Sequence, residues 1–250
     1  MKIISAVFAF SVILPTWACA QAGEHTTYTV NETTFEGYYS KAKSTPSKGL
    51  VVIIHDWDGL NDYEVKRADM LADLGYDAFA IDLYGKGIRP VELAAKKAET
   101  GKLYANRALM RARLIGGLEE ARRLGSGEAV VIGYCFGGAA ALELARSNAG
   151  TNIRGYVSFH GGLATPEGQG YTAETAPLLI AHGGADTSVT MQEVAKLADE
   201  LEKAKVTYDL HVYSGAPHAF TVFGDERYQE RADRESWKEL TKFLEANLGS

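Results

Sequence analysis

Three residues with complementary chemistry stand in a telling order along the chain: Cys135, Asp186 and His218. Cys135 is the apex of Gly133-Tyr134-Cys135-Phe136-Gly137-Gly138, between an apolar run at 129–132 and an Ala-rich stretch at 139–146. Strand, tight Gly-flanked turn and helix make a nucleophile elbow, in which a strained turn lifts the nucleophile above the sheet edge. A thiol at that apex predicts covalent catalysis by a thiolate. The competing reading is a small buried hydrophobe, a common fate of free Cys. Asp186 closes His182-Gly183-Gly184-Ala185-Asp186, and His218 lies in Gly215-Ala216-Pro217-His218-Ala219-Phe220, each just past an apolar run. Nucleophile, acid and His in that order form a triad. His218 takes the thiol proton or pairs with the thiolate, and Asp186 fixes the imidazole tautomer and steadies the imidazolium. A neighbouring imidazolium lowers a thiol pKa, so a thiolate near neutral pH is expected.

The oxyanion of such a reaction needs two donors. One is the Phe136 backbone N–H, and the other comes from the loop after the run at 49–54. That loop reads His55-Asp56-Trp57-Asp58-Gly59-Leu60-Asn61-Asp62. Asp62 is expected to cap the helix that follows. His182 and His160, both at strand ends, read as structural, with His160 also a candidate for the pocket wall. His25 and His211 look peripheral. No H-x-x-H, H-E-x-x-H or C-x-x-C spacing points to a metal, and no phosphate loop or G-x-G-x-x-G is present, so no cofactor is expected.

These residues need a frame. Residues 28–39 predict one or two edge strands, and 49–54, 77–81, 129–132, 153–159, 177–181 and 206–213 predict further strands. Helical spacing marks 63–74, 91–124 with a break near Gly101, 191–204 and 227–248. Strands alternating with helices imply a mostly parallel central sheet covered by helices on both faces, with functional residues at the carboxyl ends of strands.

The first residues read as a targeting segment. Lys2 gives a positive start, residues 3–14 are apolar, and Ala18-Cys19-Ala20 is a small-x-small cleavage site, so residues 1–20 are expected to be a signal peptide. Residues 21–250 then form one domain, exported to the periplasm or the medium. Acylation of Cys19 is the weaker alternative, because Thr16 and Trp17 suit it poorly. With Cys19 removed, Cys135 is the one remaining thiol of the two cysteines. The formal net charge is −6, with no basic cluster, which argues against a nucleic-acid partner. No other run is long enough to span a bilayer.

The elbow, the run Asp82-Leu83-Tyr84, the Asp186 loop and Pro217-His218-Ala219-Phe220 together resemble the dienelactone hydrolase family, with its α/β-hydrolase fold. The resemblance spans residues 48–244 and implies Cys135, Asp186 and His218 as the triad. It further implies an oxyanion donor at the Trp57 N–H. Asp56, where the family's usual residue is Glu, would contact the resting thiol. The family holds its substrate carboxylate with two Arg. Alignment on Asp82-Leu83-Tyr84 puts Lys86 at the first place, with Arg89 close by, and Val222 at the second. The expected activity is hydrolysis of a small ester or lactone through an acyl-thioester, in a pocket built partly from Trp57, Tyr84, Phe136 and Phe220. Acyl transfer or peptidase action at the same site, and a binding protein on a hydrolase scaffold, are the alternatives.

Overall fold

Residues 23–125 and 127–249 are described by the computed structural model. The segment read as a signal peptide, with Cys19, lies outside them. Two strands, β1 (Gly23–Val30) and β2 (Thr33–Ser40), open the chain as an antiparallel hairpin. The hairpin turns at Asn31 and Glu32, both at positive φ (45° and 65°), as a tight two-residue turn requires. The stretch expected to be one or two strands is therefore two.

The rest alternates strand and helix: β3 (Leu50–Ile54), α1 (Asp62–Asp73), β4 (Asp77–Ile81), α2 (Leu93–Ala105), α3 (Arg107–Leu124), β5 (Ala129–Tyr134) and α4 (Phe136–Ser147). Then follow β6 (Ile153–Phe159), β7 (Leu178–Gly183), α5 (Met191–Ala204), β8 (Tyr208–Tyr213) and α6 (Glu230–Leu248). They build one eight-stranded sheet in the order β1-β2-β4-β3-β5-β6-β7-β8, parallel from β4 to β8. β2 joins β4 antiparallel.

Period-two alternation along the buried strands sends side chains to opposite faces and makes two cores. Leu50, Val52 and Ile54 of β3 pack with α3, α4 and α5 through Leu114, Leu142 and Leu197. Val51 and Ile53 pack with α1 and α6 through Leu71 and Leu240. Strands buried on both faces read as unbroken apolar runs, as the sequence showed.

Two expectations about helix ends are corrected. The 91–124 helix breaks at Asn106, not at Gly101, which sits inside α2. The Asn106 side chain accepts the Leu109 N–H at 2.9 Å and so starts α3. The cap of α1 is Asn61, not Asp62: its side chain accepts the Tyr63 N–H at 2.8 Å, and Glu64 returns the favour to the Asn61 N–H at 3.0 Å. This reciprocal box satisfies two otherwise orphaned amides.

The turn between β5 and α4 needs its glycines for close approach. A Cβ on Gly133 would lie 2.0 Å from the Gly137 carbonyl oxygen, and one on Gly137 would lie 2.2 Å from the Ile54 carbonyl oxygen. Neither neighbour is a flexible side chain, so β3, β5 and α4 would have to move apart. Gly137→Ala is expected to cost about 3 kcal/mol. That lowers Tm by roughly 6–12 °C in a chain of this size, which differential scanning calorimetry would read. An unchanged Tm would contradict the packing described.

Candidate active site

The carboxyl ends of β3, β5, β7 and β8 converge, and each delivers one part of the site. Cys135 follows β5 directly and caps α4 with φ 51° and ψ −111°, a strained conformation for a residue with a Cβ. Its own N–H is anchored on the Phe159 carbonyl at 3.0 Å. The Asp186 loop follows β7, and the His218 loop follows β8.

The three side chains meet. His218 Nδ1 lies 2.8 Å from Asp186 Oδ2, and His218 Nε2 lies 3.1 Å from Cys135 Sγ. Asp186 is itself held, because its other oxygen, Oδ1, accepts the Ser188 and Val189 N–H groups at 2.8 and 2.9 Å. Burial alone raises the Asp186 pKa, but the bonds from His218, Val189 and Ser188 outweigh it and hold the carboxyl below its ordinary value. An ionised Asp186 takes a proton on Nδ1, which leaves Nε2 free to accept from the thiol.

The thiol departs from expectation. Burial pushes its pKa up, and the nearby Asp56 charge pushes it further, while the Phe136 N–H and Arg227 pull it down. Burial prevails and holds the thiol pKa above its ordinary value.

The loop after β3 is built to hold one peptide rigid. His55 is fully buried, with Nδ1 2.6 Å from the Asp56 carbonyl and Nε2 accepting the Leu83 N–H at 3.1 Å. Tyr84 donates its hydroxyl to the Trp57 carbonyl at 3.1 Å. Asp56 N–H goes to Glu64 and Asp58 N–H goes to Asp56. Between them, the Trp57 N–H has no protein acceptor among the described residues. The Phe136 N–H, in the first turn of α4, lies against the thiol. The Phe136 N–H thus stands beside Cys135, and Trp57 lines the same cavity as the thiol.

A cavity of about 210 Å³ opens over the thiol, lined by Asp56, Trp57, Cys135, Ser188, His218 and Arg227, with Ala219 beside them. Asp56 is in its wall, but its carboxylate accepts from Asp58 and makes no hydrogen bond to the thiol. The thiol's partner is His218. Burial, and after it the Asp58 and Glu64 carboxyl groups, raises the Asp56 pKa well above its ordinary value.

Tyr84 is buried, packed on Phe136 and His55, and reaches the site only through the Trp57 peptide. Lys86 points away to Glu36 at 3.5 Å. Arg89 turns to Asp82 at 3.6 Å and to the Ile88 carbonyl. Neither lines the cavity. Val222 packs against the core between the sheet, α1 and α6. Phe220 is buried in that same core rather than in the pocket.

His160 is buried against Thr221 Oγ1 at 2.8 Å, with its ring 5.3 Å from that of His218. Burial and the neighbouring His218 keep it neutral. His182 is buried at the end of β7.

Two residues in this region were not anticipated. His55 carries the β3 loop, and its position at a strand end was the available signal. Arg227 lines the cavity while gripping Asp225 through two bonds of 2.8 and 2.7 Å. Among the described residues, no cluster of three His, Cys, Asp or Glu is placed to hold a metal, and no helix is long and apolar enough to cross a membrane.

Comparison with known proteins agrees with this fold. A Bradyrhizobium protein named "Probable 2-oxo-3-(5-oxofuran-2-ylidene)propanoate lactonase" is 26% identical over 231 residues, covering 84% of this chain and 89% of its own. A crystal structure of a dienelactone hydrolase-like promiscuous phosphotriesterase from metagenomic libraries superposes with a TM-score of 0.81 at 27% identity, over 90% of this chain and 98% of that one. The solved structure named m3DLH gives 0.80 at 28% identity, over 90% and 98%. The model of the Dienelactone hydrolase family matches residues 35–248. With that match spanning nearly all of the described chain, the protein belongs to the dienelactone hydrolase family.

Proposed function

We propose that this hydrolase cleaves small carboxylic esters or lactones with Cys135 as nucleophile, His218 as general base and acid, and Asp186 as the group that orients His218. The unbroken relay from Asp186 through His218 to Cys135, at 2.8 and 3.1 Å, carries the proposal. Family membership supports the bond class.

The chemistry runs in two halves. As a substrate carbonyl docks, the thiol proton moves to His218 Nε2 and the sulfur attacks the carbonyl carbon. Charge develops on the carbonyl oxygen, where the Trp57 and Phe136 N–H groups stabilise it. The leaving alkoxide takes the proton from His218, and an acyl-thioester remains on Cys135. Water then gives a proton to His218 and attacks the thioester, the acid leaves, and the sulfur recovers its proton. A thiol pKa held above its ordinary value suits this sequence, because the charge appears only when the acceptor carbonyl is in place. The leader-like residues 1–20 extend the proposal to an exported enzyme.

A panel of small activated esters and lactones, a dienelactone included, tests the reading. Turnover of at least one of them is expected, and turnover of none would remove it.

Tyr84 gives a sharper prediction. Tyr84→Phe removes the hydroxyl that holds the Trp57 carbonyl and leaves the packing on Phe136 in place. One lost hydrogen bond of about 1–1.5 kcal/mol loosens the oxyanion donor, so kcat is expected to fall roughly 5–10-fold. KM should change little, since the donor acts on charge formed after binding. A rise in KM with kcat intact would place Tyr84 in substrate binding instead.

A further inference from the structure

One edge of the sheet is bare. β8 ends the strand order, with β7 on one side and, among the described residues, no strand on the other. Its ladder with β7 fixes which way each peptide points. The Leu178 N–H donates to the Thr207 carbonyl at 3.0 Å, and the Gly184 N–H donates to the Tyr213 carbonyl at 2.8 Å. In register, Leu178 lies beside Tyr208 and Gly183 beside Tyr213. In a parallel pair, every second residue turns both its N–H and its C=O to the neighbour. Asp209, His211 and Tyr213 therefore face β7, while Tyr208, Leu210 and Val212 turn both groups outward. Among the described residues, none of these outward groups has a partner.

An open edge invites pairing, and edge strands are commonly blunted by Lys, Pro or a bulge. β8 carries no Lys or Pro, and its register with β7 is unbroken. Val212 is 42% exposed at this edge. Nor does α6 close over the strand. A groove of about 430 Å³ runs between them, with Asp209, His211, Glu239 and Lys242 in its wall.

The strand is complementary to itself. In an antiparallel pair about a two-fold axis, outward groups must meet outward groups, so the axis falls on a residue and not between two. An axis at Asp209 opposes two carboxylates, which is unfavourable. An axis at His211 opposes two imidazoles and sets Asp209 against Tyr213. An axis at Leu210 uses the whole open edge. Leu210 then pairs with its own copy and Tyr208 with Val212, each as a hydrogen-bonded pair. Asp209 comes opposite His211 in the pairs between them, where side chains approach closest. A carboxylate acceptor thus faces a ring N–H donor on both sides of the axis. On the opposite face, Tyr208 and Leu210 lean on the core under α5, and the exposed Val212 would meet the partner's Tyr208. An aromatic ring beside a β-branched side chain is a favourable cross-strand pair.

We propose that β8 is a homodimer interface, pairing antiparallel with β8 of a second copy of this chain about a two-fold axis at Leu210. The two sheets join into one, and each subunit supplies the same patch. The proposal goes beyond the reaction described above and stands whether or not the chain hydrolyses esters.

Sedimentation velocity of the purified protein tests it. Raising the concentration from about 1 to about 100 μM should carry the protein into a dimer. Val212→Pro costs no bond to β7, because the lost N–H points outward. It removes one hydrogen bond on each side of the axis, so the dimer should weaken at least about thirtyfold. Asp209→Ala, at an exposed side chain, should weaken it about tenfold and carries the test if the Pro variant does not fold. Amide exchange gives a readout without substitution. The Leu210 and Val212 amides should exchange fast in the dilute protein and slowly in the concentrated one, whereas Asp209 and His211 amides stay slow in both. A protein that is still monomeric at about 100 μM overturns the proposal and leaves the edge to a strand from a different protein. A dimer that withstands both substitutions, or one in which the Leu210 and Val212 amides stay fast, places the interface elsewhere and overturns it too.

Discussion

Cys135→Ala is expected to reduce ester turnover at least about a thousandfold while the protein stays folded. The loss follows from chemistry rather than from damage. Among the described residues the thiol meets His218 at 3.1 Å and the Phe136 N–H, and it forms no disulfide. Ala keeps the Cβ, so the strained turn at φ 51° faces the same backbone demands. What disappears is the atom proposed to form the acyl-enzyme. Residual catalysis would come from His218 acting on water beside the two backbone donors, as seen when other triad nucleophiles are removed. Circular dichroism and Tm close to those of the parent, together with collapsed kcat, is the expected pair of results. A variant that keeps its turnover would show that the sulfur is not the nucleophile.

Asp186→Asn is expected to cost about a thousandfold in kcat with little change in KM. The geometry decides how the amide would sit. Asp186 Oδ1 accepts two backbone N–H groups, from Ser188 and Val189. The Asn oxygen must take that place, since an NH₂ there would oppose two donors. The NH₂ then faces His218 Nδ1 and can only donate to it. Nδ1 becomes the acceptor, the ring proton moves to Nε2, and the thiol loses its base. Nitrogen NMR of the imidazole would show the reversed tautomer, a signature that simple loosening of the loop would not give. Full activity with the tautomer reversed would contradict the role given to His218.

Much of this site was legible in the sequence for one physical reason. Gly133 and Gly137 are fixed by backbones that pass too close for any Cβ, and that constraint shows in composition alone. The chain order of Cys135, Asp186 and His218 was equally plain, because each follows an apolar run that must be a buried strand. Boundaries were less legible. Gly101 looked like a break, but nothing lies within 4 Å of the Cβ it would carry, and an exposed helical turn tolerates it. Asn106 does the breaking by capping α3. Asn61 and Asp62 are both good caps, and only the partnership with Glu64 chooses between them.

Charges were least legible. Alignment marked Lys86 and Arg89 as candidates, but local partners turn them away from the cavity. Glu36 comes from the hairpin and Asp82 from the strand end, so neither pairing is written in the run itself. The ion pairs of Arg107 and Arg111 with Glu143 join α3 to α4 across 36 and 32 residues and exist only after the helices pack. The thiol shows the same limit. The neighbouring His was readable, but the burial that raises the thiol pKa was not.

The most direct test of the central claim is the mass of the enzyme during turnover. Mixing with an activated ester, quenching in acid within milliseconds and measuring the intact mass should show one added acyl group. Peptide mapping should place it on Cys135, and hydroxylamine should release it, as for a thioester. Cleavage of the ester with no adduct, or with the acyl group on another residue, would contradict the account.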